Sequence, residues 1–197
     1  MKEVDLIYRI AEEQEGIIQT SDITKKEISK FMLKEFVERY DYKRVSRGIY
    51  ISPDVWEDPL YLLQLRCPKV IFSHETALYL LDMTDQEPFQ QNVTVKSGYN
   101  ASHLRKENIK VFSIKKELFE LGMLKVKTPF GNEVISYNPE RTICDMIRNR
   151  STMDNRILQE ALKKYIKRKD KNLHRLMEYS EKLRVKKFLS NYLEVFL

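Results

Sequence analysis

The sequence predicts an α+β protein with two parts: an N-terminal winged helix-turn-helix, then a larger domain with a small, mainly antiparallel sheet and C-terminal helices. Residues 20–51 have the order helix, turn, helix and short strands around Gly48. Strand-like runs separated by turn residues fill the middle third of the chain. From Pro139 onward, apolar residues recur at helical spacing. We place the domains at 1–52 and 53–197.

Composition is that of a globular protein. Of the 197 residues, 42% are hydrophobic and 32% are charged, which excludes a disordered chain. No run approaches the ~20 apolar residues of a membrane span, and acidic residues interrupt the apolar pattern of the first helix, which argues against a signal peptide. Cys67 and Cys144 belong to no pairing motif, so we expect buried or half-buried thiols and a reducing, cytoplasmic location without membrane contact.

The positive charge is unevenly distributed. The formal net charge is +6, which fits an anionic partner. Residues 1–52 contain ten basic and ten acidic side chains, whereas residues 141–197 contain 15 basic and 7 acidic ones. The excess therefore lies in the C-terminal helices and not in the predicted winged helix.

The first domain is predicted from its local signals. A helix over 4–14 ends at Gly16, and Ile17-Ile18 forms a short extended piece. A new helix is capped by one of the residues 20–22, and a further helix runs from Ser29 to about Tyr40.

The helix that begins at Ser29 is the predicted recognition helix, because the second helix of such a motif enters the major groove with its N-terminal half. Glu35 and Glu38 lie in its second half, where phosphates repel carboxylates. We therefore assign contact with DNA to the first half and the turn before it. The predicted contacts are Lys26, Ser29, Lys30 and Lys34.

The next segment predicts a basic β-hairpin. Val45, Ile49 and Ile51 are strand formers, and Gly48 permits the positive φ of a tight turn. Lys43, Arg44 and Arg47 cluster at its tip, where a wing contacts phosphates or the minor groove. The alternative is a solvated hairpin with no partner.

The larger domain is predicted to contain helices over 59–66 and from Ser73, strands over 92–96, 109–114, 124–128 and 133–137, and C-terminal helices, the last over 183–197. Its densest basic run is either a solvated helix face or a second DNA contact. That run comprises Lys163, Lys164, Lys167, Arg168, Lys169 and Lys171.

An enzyme built on the central sheet is the alternative from another class. Asp82, Asp85, Glu87 and Glu133 are the acids that a metal-dependent nuclease or transferase would recruit. Their spacing matches no metal motif, no Gly-rich phosphate loop is present, and His74 has no second histidine or nucleophile spaced to join it. We therefore predict no catalytic residue, no metal site and no cofactor.

Three segments resemble the AbiEi family, antitoxins of the AbiE type IV toxin–antitoxin systems that act in abortive phage infection. They are RVSRGIYISPD at 44–54, SHETALYLLDMTDQEP at 73–88 and NPERTICDMI at 138–147. The segments occur in the family's order. Each is weak alone, and together they are a fairly specific signature.

The resemblance implies a non-enzymatic regulator. Such proteins bind inverted repeats in their own promoter through the winged helix, repress their operon and counter a cognate nucleotidyltransferase-like toxin. We expect two copies to bind double-stranded DNA cooperatively. Direct contact with the toxin is left open, as is a regulator without a toxin, and the basic run at 163–171 is then a DNA or toxin contact. The residues carried over as DNA contacts are Ser29, Lys30, Lys34, Arg44, Ser46 and Arg47.

Overall fold

The structure is a computed structural model that describes residues 3–196. The chain divides into two compact units, Met1–Pro68 and Lys69–Leu197. Each unit combines helices with a small sheet, so the fold is mixed α/β. Within the described residues, no helix is long and apolar enough to cross a membrane.

The first unit alternates helices with short strands. Ser29 caps α3 at the position where we predicted that helix to begin. Helix α2 begins directly after Gln19 without a side-chain cap, so the cap predicted at residues 20–22 is wrong. Its elements are α1 (Glu3–Glu13), β1 (Ile17–Gln19), α2 (Thr20–Lys25), α3 (Lys30–Arg39), β2 (Lys43–Ser46), β3 (Ile49–Ile51) and α4 (Pro59–Arg66).

Strand β3 is the middle strand of an antiparallel sheet with the order β1-β3-β2. Ile17 pairs with Ile51, and the register of the hairpin shifts between Arg44 and Ser46. Gly48 turns the hairpin with a φ of +75°, a conformation that favours glycine. The predicted hairpin is therefore confirmed, and its bulge increases the local twist.

An isoleucine-rich core holds the helices of the first unit together. Leu33 and Phe36 of α3 pack with residues of α1, β1 and α2, and the Phe36 ring contacts the rings of Tyr8, Tyr40 and Tyr42. Burial of these side chains fixes which face of α3 remains exposed. The other core residues are Ile7, Ile10, Ala11, Ile18, Ile23 and Ile28.

Helix α4 belongs to the first unit, although we predicted a boundary after residue 52. Asp58 caps it by accepting hydrogen bonds from the backbone of Leu60 and Tyr61. Its half-buried Tyr61, Leu62 and Leu65 pack against the apolar face of the sheet formed by Ile17, Ile49 and Ile51. The sheet needs this cover, which is why the division falls after Pro68.

The second unit has twelve elements in its described part, joined by a short 3₁₀ turn at Arg150–Thr152. Leu197, which we included in the last predicted helix, lies outside the described residues. The elements are β4 (Ile71–Phe72), α5 (His74–Leu80), β5 (Asn92–Lys96), α6 (Ser102–Lys106), β6 (Lys110–Ile114), α7 (Lys116–Phe119), β7 (Met123–Lys127), β8 (Glu133–Tyr137), α8 (Pro139–Arg148), α9 (Asn155–Lys167), α10 (Leu173–Lys182) and α11 (Lys186–Phe196).

The sheet of the second unit is mixed, so the prediction of a mainly antiparallel sheet is wrong. Its order is β6-β5-β4-β8-β7, in which β5–β6 and β4–β8 are parallel pairs and β4–β5 and β7–β8 are antiparallel. Helix α6 lies between β5 and β6 in the sequence. Because the two strands are parallel, this connection must bring the chain back to the end of the sheet at which β5 begins. The strands predicted over 124–128 and 133–137 correspond to β7 and β8, which pair as an antiparallel hairpin.

Arg141 of α8 is the largest fully buried side chain of the second unit. Its Nε donates to Oδ2 of Asp145 over 2.9 Å, and its Nη1 donates to the carbonyls of Leu118 and Leu121 over 2.7 and 2.8 Å. The guanidinium also lies over the Tyr137 ring, with Cζ 4.2 Å from the centroid. These contacts hold the loop after α7 against α8.

His74 is buried in a polar network at the start of α5. Nδ2 of Asn149 donates to the carbonyl of Asp145 over 3.1 Å, which identifies it as the amide nitrogen. The same Nδ2 lies 3.0 Å from Nε2 of His74, so Nε2 is the acceptor and Nδ1–H donates to Oγ of Ser73 over 2.9 Å. The ring stacks on Phe112 with centroids 3.5 Å apart. The histidine is therefore a neutral structural residue.

A matched pair of glycine variants tests the contact of α8 with the loop between α7 and β7. Gly122 has a φ of +77°, and a Cβ there would lie 2.7 Å from Cβ of Arg141, whereas Gly131 has a φ of +91° and open space around it. We expect Gly131→Ala to lower the free energy of unfolding by about 1 kcal/mol through backbone strain alone. Gly122→Ala should cost about 3 kcal/mol because steric displacement adds to that strain. Equal losses in urea unfolding would contradict the contact.

The buried histidine predicts a loss of stability in acid. Burial, followed by the nearby charges of Lys110, Arg141 and Arg148, lowers the pKa of His74 well below its ordinary value. Between the lowered pKa of the folded state and the ordinary pKa of the unfolded state, His74 is therefore protonated only in the unfolded chain. The free energy of unfolding should fall below about pH 6.5 by up to ~1.4 kcal/mol per pH unit. His74 has a φ of +52°, a left-handed conformation that asparagine tolerates, so His74→Asn should fold and lose this dependence. The same acid slope in both proteins would refute the assignment.

Candidate nucleic-acid interface

Helix α3 has one buried and one exposed face. Oγ of Ser29 accepts a hydrogen bond from the backbone N–H of Met32 over 3.1 Å, so this hydroxyl serves as the helix cap. Leu33 and Phe36 point into the core of the unit. The exposed positions are Lys30, Phe31, Lys34, Glu35, Glu38 and Arg39.

The charges on the exposed face change along the helix. Lys30 lies in the first turn and Lys34 in the second, and Nζ of Lys34 is 3.7 Å from a carboxylate oxygen of Glu38. Both side chains are about two-thirds exposed, so the ion pair is weak. Lys34 can therefore exchange Glu38 for another anion at little cost in free energy. The basic end of this face is its N-terminal half, as the sequence predicts.

The turn between α2 and α3 is held by backbone hydrogen bonds. The N–H of Lys26 donates to the carbonyls of Asp22 and Ile23, and Ile28 is buried. The carboxylate of Asp22 accepts from Nζ of Lys25 over 2.8 Å, and this bond holds its pKa below the ordinary value. The turn thereby places the exposed Lys26 just before the exposed face of α3.

The hairpin of β2 and β3 presents three exposed cations: Lys43 and Arg44 on β2 and Arg47 in the turn. Ser46 is half-buried, and its carbonyl accepts from Nε of Arg44 over 3.4 Å. The backbone N–H of Thr20 donates to the carbonyl of Gly48 over 2.8 Å. This bond ties the tip of the hairpin to the start of α2.

Glu57 neutralises one of these cations. Its carboxylate forms an ion pair with Nζ of Lys43, and the two side chains are about half and two-thirds exposed. The pair joins β2 to the loop after β3 across 14 positions of sequence. No spacing rule links residues so far apart, so the sequence did not predict this contact.

The basic surface of the first unit is local. Residues 1–68 contain 11 basic and 13 acidic side chains, so the unit as a whole is slightly negative. Attraction of an anion must therefore come from the arrangement of a few side chains and not from the total charge. The predicted residues exposed on this unit are Lys26, Ser29, Lys30, Lys34, Lys43, Arg44 and Arg47.

The basic run of the second unit is divided between structural and exposed roles. Nζ of Lys164 pairs with Asp85 over 2.7 Å. Arg168 binds Asp170 over 2.8 Å, which raises the pKa of the guanidinium, and it donates to the carbonyl of Leu81 over 3.0 Å. Arg168 thereby joins the end of α9 to the residues after α5, whereas the Lys164 pair lies at the surface and is weak. The exposed members are Lys163, Lys167, Lys169 and Lys171.

The four acids that a metal-dependent enzyme would recruit as ligands do not form a common metal site in the described part of the chain. Asp85 pairs with Lys164, and Glu133 pairs with Lys125 over 2.6 Å. Over residues 3–196, no group of three or more histidine, cysteine, aspartate or glutamate side chains is placed to hold a metal ion.

Comparison with known proteins adds information on the fold alone. No protein-family model matches the chain, and no curated protein matches it. Among solved structures, the crystal structure of the RV2827C protein from Mycobacterium tuberculosis is similar, with a TM-score of 0.60 and 11% sequence identity. The match covers 89% of this chain and 70% of that one. The mixed α/β architecture described above is therefore one that an experimentally determined protein shares.

Proposed function

We propose that this chain is a DNA-binding autorepressor whose first unit is a winged helix, and that it serves as the antitoxin of an AbiE-like type IV system. It binds inverted repeats in the double-stranded DNA of its own promoter and counters a nucleotidyltransferase-like toxin. The observation that carries the DNA-binding part is the capped helix α3, followed directly by the basic hairpin of β2 and β3.

The order of elements in the first unit supports a winged helix. Helices α2 and α3 form the helix-turn-helix, and α3 keeps its hydrophobic face on the core while its first turn is exposed. The hairpin serves as the wing. Because the hydrogen bond between Thr20 and Gly48 links it to α2, the wing and the helix pair are held in one rigid frame.

The charges support DNA as the ligand. Lys26 and Lys30 flank the start of the recognition helix, while Arg44 and Arg47 project from the wing. Phosphate contacts from such cations release counterions and supply most of the affinity for DNA. The slightly negative charge of the whole unit limits non-specific binding, and a second copy on an inverted repeat would supply the missing affinity.

The antitoxin part of the proposal rests on the family resemblance. Two of its three segments correspond to α5 with the turn after it and to α8, and these helices pack on each other. Their polar residues, such as His74, Arg141 and Asp145, are buried in structural networks. The exposed cations Lys163 and Lys167 on α9 then remain as contacts for the toxin or for DNA.

Two measurements test the proposal. The purified protein should protect an inverted repeat upstream of its own reading frame, with affinity that falls steeply as salt increases. Where a neighbouring reading frame encodes a nucleotidyltransferase-like protein, coexpression should restore growth of cells that produce that protein. DNA protection without rescue would leave a regulator without a toxin partner, and the absence of protection would refute the autorepressor.

Charge reversal in the wing should weaken promoter binding. We expect the double variant Arg44→Glu, Arg47→Glu to bind more than about tenfold more weakly. The slope of log Kobs against log salt should decrease by about 1.8, because two phosphate contacts are lost. Both quantities are measured by fluorescence anisotropy with promoter DNA.

The matched control reverses two exposed cations of α6, Arg105→Glu and Lys106→Glu, which changes the net charge by the same amount. The control should keep most of the affinity and the full salt slope. If both double variants lost affinity equally, total charge and not the wing would govern binding.

Removal of the carboxylate beside Lys43 should strengthen binding. In Glu57→Gln the lysine is free to contact phosphate and one repulsive charge is lost, so we expect Kd to decrease about threefold. The exposed pair contributes little to folding, so the free energy of unfolding should change by less than ~0.5 kcal/mol. Glu133→Gln breaks a similar pair with Lys125 in the second unit and is the control. An unchanged Kd for Glu57→Gln would exclude Lys43 from the interface.

A further inference from the structure

Helix α3 carries a large aromatic side chain on its exposed face. Phe31 is 66% exposed. Single exposed apolar side chains are common on proteins, so this exposure alone identifies no site. The informative feature is its position, which is the second residue of the helix, next to Lys30 and one turn before Lys34.

The first turn of a recognition helix is the part that reaches base edges in the major groove. The cap at Ser29 and the burial of Leu33 fix the rotation of α3, so Phe31 cannot turn toward the core without breaking the helix. In a complex of this kind, a side chain at this position faces the base edges.

A phenyl ring has no hydrogen-bonding group and cannot recognise the donors and acceptors of a base. The major groove offers one apolar feature, the C5 methyl group of thymine, and phenylalanine is among the side chains that contact it. We propose that Phe31 reads a thymine methyl group in each half of the inverted repeat. This inference rests on the proposed DNA-binding function and adds to it the base that the helix selects.

The surrounding charges favour DNA over a protein as the occupant. Lys30 and Lys34 are exposed on the first half of α3, next to Phe31 and one turn after it, and Lys26 is exposed in the turn before the helix. Glu35 and Glu38 lie farther along, where a recognition helix leaves the groove. Glu27 is also exposed in the turn before α3, but the first half of the helix, residues 30–34, carries two lysines and no carboxylate. A phenyl ring beside these cations complements a base edge flanked by phosphates.

The test replaces single thymines of the promoter site with deoxyuridine, which lacks only the methyl group. The full-length protein should bind about fourfold more weakly when the contacted thymine of one half-site is replaced, since burial of one methyl group corresponds to roughly that change in Kd. Phe31→Ala should bind both DNAs equally. Its salt slope should match that of the wild type, because no phosphate contact is lost.

Phe31→Leu and Trp56→Ala are the comparisons. Leucine keeps an apolar contact and should keep part of the sensitivity to deoxyuridine. Trp56 is 83% exposed in the same unit but lies outside α3, so Trp56→Ala should keep the full sensitivity to deoxyuridine. Alanine favours helix more than phenylalanine does, so Phe31→Ala should fold normally.

Three results would overturn the inference. The first is that no single thymine shows sensitivity in the wild type while specific binding is present. The second is that Phe31→Ala keeps the sensitivity. The third is that Phe31→Ala binds DNA normally but fails to rescue cells from the toxin, which would assign the ring to a protein contact. If the wild type bound no promoter DNA, the proposed function would fail together with this inference.

Discussion

The second unit depends on a charge buried without access to water. Arg141 places its guanidinium beneath the loop after α7, and Asp145 on the next turn of α8 balances it. Desolvation makes such a buried ion pair costly, so its net contribution to the free energy of folding is small. Any arrangement that separated the two charges would leave one of them buried without a partner, and the pair therefore favours a single packing of α8. The absence of a side chain at Gly122 and the position of the Tyr137 ring follow from this constraint.

In the first unit, the hydrophobic side of each element determines what its other side can present. Burial of Leu33 and Phe36 exposes Lys30 and Lys34, and packing of β3 against α4 leaves the cations of β2 exposed. The exposed lysines then form weak pairs with neighbouring carboxylates. Such exposed pairs contribute little to the stability of the fold, so their cations can pair with other anions at little cost.

Local signals predicted these elements: helical spacing from Pro139 onward matches α8, which begins at Pro139, and Gly48 turns the hairpin. Long-range features were not predictable. The parallel pairing of β5 with β6 depends on how α6 crosses the sheet, and the partner of Lys43 is Glu57, 14 positions away. In the candidate site, residue types and exposure followed from helical spacing, whereas competing ion pairs depend on three-dimensional proximity.

Both cysteines are buried, Cys67 at 5% exposure and Cys144 at 0%. Burial also raises the pKa of Cys144 far above the range in which a thiolate forms, and its Sγ faces the carbonyl of Leu176 at 3.8 Å. Electrophilic thiol reagents therefore react little with either cysteine of the folded protein. A cysteine introduced at Arg47 would react selectively, so a fluorophore or a cleavage reagent can be attached to the hairpin tip without replacing either natural cysteine.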